Sequence, residues 1–284
     1  MMPRMRKWLI LTVVTAITAV LAGCAPADDK KAGGTENCEK SSLPTLKAGK
    51  LTFGTDQPAY PPWFIDNNPA NGKGFESSVA YAVAEKLGYQ QADVQWVSVP
   101  FNAAIAPGPK TFDADLNQFS ITDERRNAVD FSSPYYDVTQ AVVTIDSSPA
   151  AGVTTLDALR KLRLGAQVGT TSYQAAKDLG TFAPVSVYNN NDDAKAALAS
   201  GQIDALVLDL ATAFQVQNEL IEAKLVGQLP SGTGKLEQFG IVLDKDSRLT
   251  KCVSGALDAL RAEGTLAGLQ QKWSVEAGNA PVLK

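Results

Sequence analysis

Leu164-Gly165-Ala166-Gln167-Val168-Gly169-Thr170-Thr171-Ser172 sets a short apolar strand against a polar helix start, with one glycine between them. Short apolar runs bounded by glycine read as buried strands. Thr and Ser are residues that cap helices by accepting from the first free backbone N–H groups. The spacing predicts a helix from Gly169-Thr170-Thr171-Ser172 through Leu179. The same rhythm continues on both sides. Downstream, Val185 to Tyr188 reads as a strand, Asn191 caps a helix with Asp192 and Asp193 in its first turn, and Gly201 ends it. Acids in a first turn complement the helix dipole. Ile203 to Leu208 is then a buried-type strand ending in Asp209. Upstream, Thr154 or Thr155 caps a helix through Leu162.

The first third has its own copy of the pattern. Lys50 to Thr55 alternates as a strand, Glu76 to Leu87 carries Val79, Val83 and Leu87 at helical spacing with Gly88 as its stop, and Ala92 to Val99 is the next strand. Phe112 to Phe119 comes next as a strand, Thr122 to Ala128 as a short polar helix and Tyr135 to Ile145 as a longer strand. In the last third Gly240 to Leu243 reads as a strand. Ser247 to Glu263 is a helix with Val253, Ala256, Leu257 and Leu260 on one face, and a short helix runs on to Trp273. Strands alternating with helices imply α/β architecture with open, largely parallel sheets. The pattern restarts near residue 150, which implies two lobes.

In such sheets ligands collect at the carboxyl ends of strands. Those places hold Asp56, the stretch 117–125, Thr170 to Ser172, and Asp209. Arg125 offers a planar, always-charged fork that matches a carboxylate. Thr171 and Ser172 bring backbone N–H groups at a helix N-terminus, an anion site. Asp209 can accept from an ammonium. Together the three fit a zwitterion, an α-amino acid. Taken singly, each has a plainer reading: a solvated helix arginine, a helix cap, and a second cap.

Composition bounds the chemistry. The 284 residues include 26 basic and 30 acidic groups, no histidine, and a net charge of -4. That balance gives no basic face for nucleic acid. Without histidine, the commonest general base and metal ligand is missing. Neither catalytic residues, a metal nor a cofactor is expected, and the chain is expected to be a monomer. At the N-terminus Arg4, Arg6 and Lys7 precede an apolar stretch, Trp8 to Leu21, that is short for a membrane span. This is the pattern of an export signal. Leu21-Ala22-Gly23-Cys24 resembles the bacterial lipobox, which implies a signal peptide at 1–23 and a diacylated Cys24. Its removal takes three basic residues and leaves 23 basic against 30 acidic, a net of -7. Residues 24–44 read as a flexible tether. In an exported chain Cys38 and Cys252 are expected to pair; two buried thiols are the alternative.

Several ordered runs resemble a known family. They are Leu51 to Asp56 with Tyr60-Pro61-Pro62-Trp63; Gly74-Phe75-Glu76; Ser120 to Arg125 with Val129 to Tyr136; Gln167 to Ser172; Gly201 to Asp209; and Gly264-Thr265-Leu266 with Trp273. From about Lys50 to Trp273 the chain resembles family 3 of the bacterial extracellular solute-binding proteins, which serve polar amino-acid ABC importers. The resemblance implies a type II periplasmic-binding-protein fold with a two-segment hinge near 138–142 and 237–241. One lobe would hold 45–138 plus 238–284 and the other 139–237. It implies that Arg125 clamps the α-carboxylate with Thr171 and Ser172, that Asp209 and the region of Ser120 hold the ammonium, that Tyr60 and Phe101 wall the aliphatic part, and that Asp56 faces the side chain. An ABC permease is the implied partner, with the membrane reached only through the lipid anchor.

The sequence departs from the family at Asn117-Gln118, where small residues are usual, and at Trp63, where phenylalanine is usual. The two amides with Asp56 point to a neutral polar side chain such as glutamine; Asp56 alone would suit a cationic one. A ligand-sensing receptor component, or an exported dehydratase on the same scaffold, are the competing functions.

Overall fold

The computed structural model describes residues 37–231, 236–275 and 280–284. The expected signal peptide, Cys24 and most of the expected tether lie outside the described residues. The chain divides into Met1–Thr35 and Glu36–Lys284, and every element below belongs to the second unit.

The first lobe begins with β1 (Leu51–Thr55), buried along its whole length, and α1 (Phe75–Lys86). Gly74, just before α1, has φ 99°, and a Cβ there would lie 2.3 Å from the Trp63 carbonyl oxygen. The Gly-Phe-acid turn therefore needs glycine for both its backbone angle and its close approach. Then come β2 (Val94–Ser98), α2 (Phe101–Ile105), β3 (Ala114–Asp115), α3 (Asp123–Arg126) and β4 (Asp130–Phe131). β3 is shorter than the expected strand Phe112 to Phe119, because the chain leaves the sheet after Asp115 and Gln118 takes φ 49°.

The second lobe contains β6 (Gln140–Ile145), reached through β5 (Tyr136–Val138), then α4 (Leu156–Leu159), β7 (Leu164–Gln167), α5 (Thr171–Asp178), β8 (Ser186–Tyr188), α6 (Asn191–Ala199), β9 (Ala205–Asp209), α7 (Leu210–Glu219) and β10 (Ala223–Gln228). The chain returns through β11 (Glu237–Phe239) to β12 (Val242–Leu243), α8 (Thr250–Ala262) and α9 (Thr265–Lys272). The cap of α6 is Asn190, whose side chain accepts from Asp193 N, rather than the expected Asn191; within a run of asparagines only the backbone turn decides which one caps.

The two sheets share one topology. The first runs β2-β1-β3-β12-β4 and the second β10-β6-β9-β7-β8. In each, one strand, β12 or β6, runs antiparallel to both neighbours, and it is the strand that arrives from the other lobe. The remaining strands of each sheet are parallel to one another. Each sheet buries apolar clusters on both faces, the expected arrangement for helix-covered sheets.

Between the sheets β5 and β11 form a separate antiparallel ribbon, Glu237 opposite Val138 and Phe239 opposite Tyr136. The expected single strand Tyr135 to Ile145 is thus two strands in different sheets, broken at Thr139. Trp63 is fully buried against this ribbon, with ring centroids 5.3 Å from Tyr136 and 5.5 Å from Phe239. Its indole N–H donates to Thr212 Oγ1 on α7 at 2.9 Å. A phenylalanine could not make that bond, so the Trp63 departure acts on the crossing between lobes and not on the cleft wall.

Two further links join distant segments. Cys38 and Cys252 form the expected disulfide, tying the N-terminal segment to α8 with Cα atoms 5.4 Å apart. Within the segment 238–284, Val275 sits in the first lobe's core, whereas residues 280–284 lie along the second sheet. There Gln228 N donates to Pro281 O at 2.8 Å and Leu283 N to Gln228 O at 2.9 Å, while Leu283 fills the cluster around Val142 and Leu159. An edge strand offers unpaired backbone groups, and the tail satisfies those of Gln228 at the end of β10.

Candidate functional site

One cleft opens between the lobes at the carboxyl ends of β1, β7 and β9. It is lined by Asp56, Tyr60, Phe101, Asn117, Gln118, Arg125, Thr171, Ser172 and Asp209, nine of the ten residues expected to touch a ligand. Ser120, the tenth, is buried just behind, its hydroxyl 3.1 Å from Thr171 Oγ1.

Arg125 is delivered by α3, whose cap is the Thr122 hydroxyl accepting from Arg125 N. The guanidinium donates through Nη1 to Ser120 O at 2.6 Å and through Nη2 to Gly169 O of the second lobe at 3.0 Å, and stacks 5.5 Å from the Phe101 ring centroid. Each terminal nitrogen carries two N–H groups, so each retains one for a carboxylate oxygen. Burial pulls the guanidinium below its ordinary pKa, opposed by Asp209 and Glu237, and it remains a cation.

Opposite Arg125, the α5 N-terminus presents Thr171 and Ser172, with Thr170 as cap accepting from Tyr173 N at 3.1 Å. The lobes meet here closely. Gly169 has φ 74°, and a Cβ at that position would fall 2.1 Å from Asn102 Oδ1 on α2. The lobes are therefore closed on each other, joined by the Arg125–Gly169, Ser120–Thr171 and Trp63–Thr212 bonds.

Asp209 ends β9 and aims its carboxylate at the same space. Burial first, then the negative charge of Glu237, push its pKa up to about 7, while the Gln140 amide and Arg125 hold it down. An acid so placed gains most from a cation arriving beside it.

The far end of the cleft holds Asp56, Tyr60, Asn117 and Gln118, with Asn190 and Asn191 facing them from the second lobe. Asp56 is more occupied than expected: Oδ1 accepts from Gln57 N at 2.7 Å and Oδ2 from Phe101 N at 3.0 Å, so it also seats α2. Gln118 is tied down as well. Its backbone N–H donates to Glu76 Oε1 at 2.7 Å, and its amide donates to Glu76 Oε2. Tyr135 donates to the same Glu76, a fully buried carboxyl pushed up to about 7 by burial. Behind β1, Asp115 is also fully buried, pushed well up by burial and by Glu76 and Asp56. Tyr60 lies under the Lys195 ammonium, 5.5 Å from the ring centroid.

Sequence reasoning missed Glu76, Thr212, Gln140 and Glu237. In the sequence Glu76 stands out only as part of a turn. Gln140 carries a usable signal, a polar residue at the first position of an otherwise apolar strand.

Residues 51–276 match the family model described as bacterial extracellular solute-binding proteins, family 3. The chain belongs to that family. This solute-binding protein is 32% identical over 240 residues to an L-arginine-binding protein of Pseudomonas aeruginosa, covering 82% of this chain and 91% of that one. It is 26% identical over 277 residues to the ABC transporter glutamine-binding protein GlnH of Bacillus subtilis, covering 96% and 98%. A solved ancestral arginine-binding protein bound to glutamine matches it with TM-score 0.67 and 30% identity, over 80% of this chain and 98% of that one. The solute-binding protein thus has the type II fold that its sheet order indicates, and its relatives are binding proteins rather than enzymes.

Proposed function

We propose that this solute-binding protein captures a polar L-amino acid for an ABC importer, as a monomer held at the outer face of the membrane by a lipid on Cys24. The observation that carries the reading is that a guanidinium, a helix N-terminus and a carboxylate (Arg125, Thr171 with Ser172, and Asp209) line one cleft from both lobes. Arg125 and the α5 N-terminus take the α-carboxylate. Asp209, with the Ser120 region behind it, takes the ammonium. Tyr60 and Phe101 enclose the aliphatic part. The lobes, 45–138 plus 238–275 against 139–237 joined by the tail 280–284, close on the ligand about the β5–β11 ribbon and present the closed form to a permease.

The side chain faces Asp56, Asn117, Gln118, Asn190 and Asn191, a wall rich in amides, which supports a neutral polar ligand such as glutamine. A cationic side chain is the second reading, favoured by the carboxylate of Asp56. A thermal-shift screen of the twenty amino acids against the soluble body separates them, because a ligand that binds only the folded state raises its melting temperature. A shift with glutamine or asparagine and none with arginine or lysine supports the first; the reverse supports the second. No shift with any amino acid, alongside turnover of a prephenate-like cyclic acid, would replace both readings with the dehydratase.

A further inference from the structure

The acid assigned to the ammonium is built into the hinge. Gln140 is the first residue of β6, directly after one crossing, and the sheet register sets it opposite Asp209. Its amide nitrogen donates to Asp209 Oδ1 at 2.8 Å and lies 3.3 Å from both Thr171 Oγ1 and Glu237 Oε2. Glu237 is the first residue of β11, the other crossing, and accepts from Ser120 Oγ at 3.0 Å. One carboxamide therefore sits among an acid from β9, an acid from the return crossing and a hydroxyl from α5.

The orientation of that carboxamide is forced. Gln140 is buried, and its carbonyl oxygen has no hydrogen-bond partner among the described residues. Turning the amide over would press that oxygen against two carboxylates. An unmet carbonyl is the lesser penalty, so the amino group stays aimed at the acids. An amide donor carries no net charge, so it orients Asp209 without neutralising it. The groups facing Asp209 are Glu237 from β11, Arg125 from α3 and Glu76 from α1, with the neutral phenols of Tyr135 and Tyr136 nearby. Arg125 is the one cation of that set, and it is committed to a carboxylate in the proposed binding mode. A second cation is what the cluster lacks.

We propose that Gln140 and Glu237 are positioning residues for Asp209: Gln140 holds its carboxylate toward the cleft, and Glu237 adds the second negative charge that makes the site demand an α-ammonium group and ties its arrival to the two crossings. This rests on the reading of Asp209 as the ammonium acceptor. It predicts a selective defect. A ligand without its amino group never uses the cluster, so damage to Gln140 or Glu237 leaves its binding nearly unchanged.

The test uses calorimetry with L-glutamine and L-arginine and with their des-amino counterparts, glutaramic acid and 5-guanidinopentanoic acid. Gln140→Leu and Glu237→Gln should weaken the bound amino acid about tenfold or more and the des-amino acid by less than about threefold. Gln140→Asn and Glu237→Asp, which keep the donor and the charge, should recover part of the loss; Gln140→Asn also carries the comparison should Gln140→Leu fail to fold. Carbon-13 NMR of the ligand-free protein, with Asp209 assigned through Asp209→Asn, gives an independent reading. The Asp209 midpoint should fall by roughly one pH unit in Glu237→Gln. If neither amino acid binds, that midpoint decides alone. Wild-type affinity in both variants with an unmoved midpoint overturns the proposal. Unchanged amino-acid affinity in Asp209→Asn instead overturns the ammonium reading beneath it.

Discussion

The Ser120 hydroxyl lies 3.1 Å from that of Thr171, joining the loop before α3 to the first residue of α5 across the mouth of the hinge. With the Arg125–Gly169 and Trp63–Thr212 bonds it forms a direct latch between the lobes, beside the ribbon that connects them. A hydrogen bond of this kind contributes about 0.5–1.5 kcal/mol. Ser120→Ala and Thr171→Val should each shift the ligand-free protein toward an open form, read as a larger radius of gyration in X-ray scattering. An unchanged scattering curve in both variants would show that the latch does not hold the lobes.

Arg125→Ala removes the proposed carboxylate clamp and leaves a dry anion facing no cation. Truncating one partner of a buried charge pair costs about 2–5 kcal/mol, so affinity should fall about a hundredfold or more. Arg125→Lys keeps the charge but loses the two-pronged geometry and should fall between. Calorimetric titration with the ligand found by thermal shift checks both; equal affinity in Arg125→Ala would place the carboxylate elsewhere.

Glu76 and Asp209 are both pushed up to about 7, chiefly by burial. A raised folded-state pKa means that the native protein holds these protons more tightly than the unfolded chain. The stability they contribute is complete below the unfolded value near pH 4 and is lost as pH rises through 7. Each unit of difference is worth about 1.4 kcal/mol, so the ligand-free melting temperature should decline from pH 5 to pH 8. Ligand affinity runs the other way. In the proposed binding mode Asp209 must be ionised to accept the ammonium, so binding should strengthen with rising pH through 7 and release a proton near neutrality. Calorimetry in buffers of different ionisation heat measures that proton directly, and zero release at pH 6.5 would contradict it.

The Cys38–Cys252 bond closes a separation of 214 residues. Closing a long loop constrains the unfolded chain, and removing such a bond typically costs about 2–4 kcal/mol. At about 2–4 °C per kcal/mol for a body of this size, Cys252→Ser should lower the melting temperature by roughly 5–15 °C. Ligand affinity should survive, because the bond lies in the first lobe away from the cleft. Calorimetric melting with and without reductant is the measurement.

Gly74→Ala should destabilise without touching the cleft lining. The added methyl would stand 2.3 Å from the Trp63 carbonyl and 2.7 Å from Phe64 Cα, both backbone atoms that cannot swing aside, at a φ of 99°. Overpacking of this kind costs about 1–3 kcal/mol, to which backbone strain adds. Chemical denaturation should show a lower midpoint; a midpoint equal to wild type would mean that the Trp63 loop gives way freely.

Much of the fold and the cleft was legible in the sequence because it is local. The Leu164 to Ser172 stretch reads as strand and helix start from five apolar or small residues and a hydroxyl cap, and the structure has β7 and α5 there. Arg125, Thr171 and Asp209 could be picked out because each stands just past a strand, where topology alone puts ligands. The misreadings share one cause. Tyr135 to Ile145 is uniformly strand-like, and nothing within it says that Thr139 marks a change of sheet. Phe112 to Phe119 is apolar enough for a long strand, yet Gln118 is drawn out of it by Glu76, 42 positions earlier in the chain.

Periodicity, caps and glycine punctuation therefore determined the elements, the two-lobed α/β plan and the chemical types in the cleft, since each depends on a residue and its near neighbours. Tertiary structure alone decided which groups share an environment. It brought Trp63 to Thr212, 149 positions apart, and Gln140 to Asp209, 69 apart. It also sealed Glu76 from water, which no reading of Gly74-Phe75-Glu76 could reveal. Desolvation and charge coupling depend on everything folded around a group, so the raised pKa values of Glu76 and Asp209 appear only once the chain has closed upon itself.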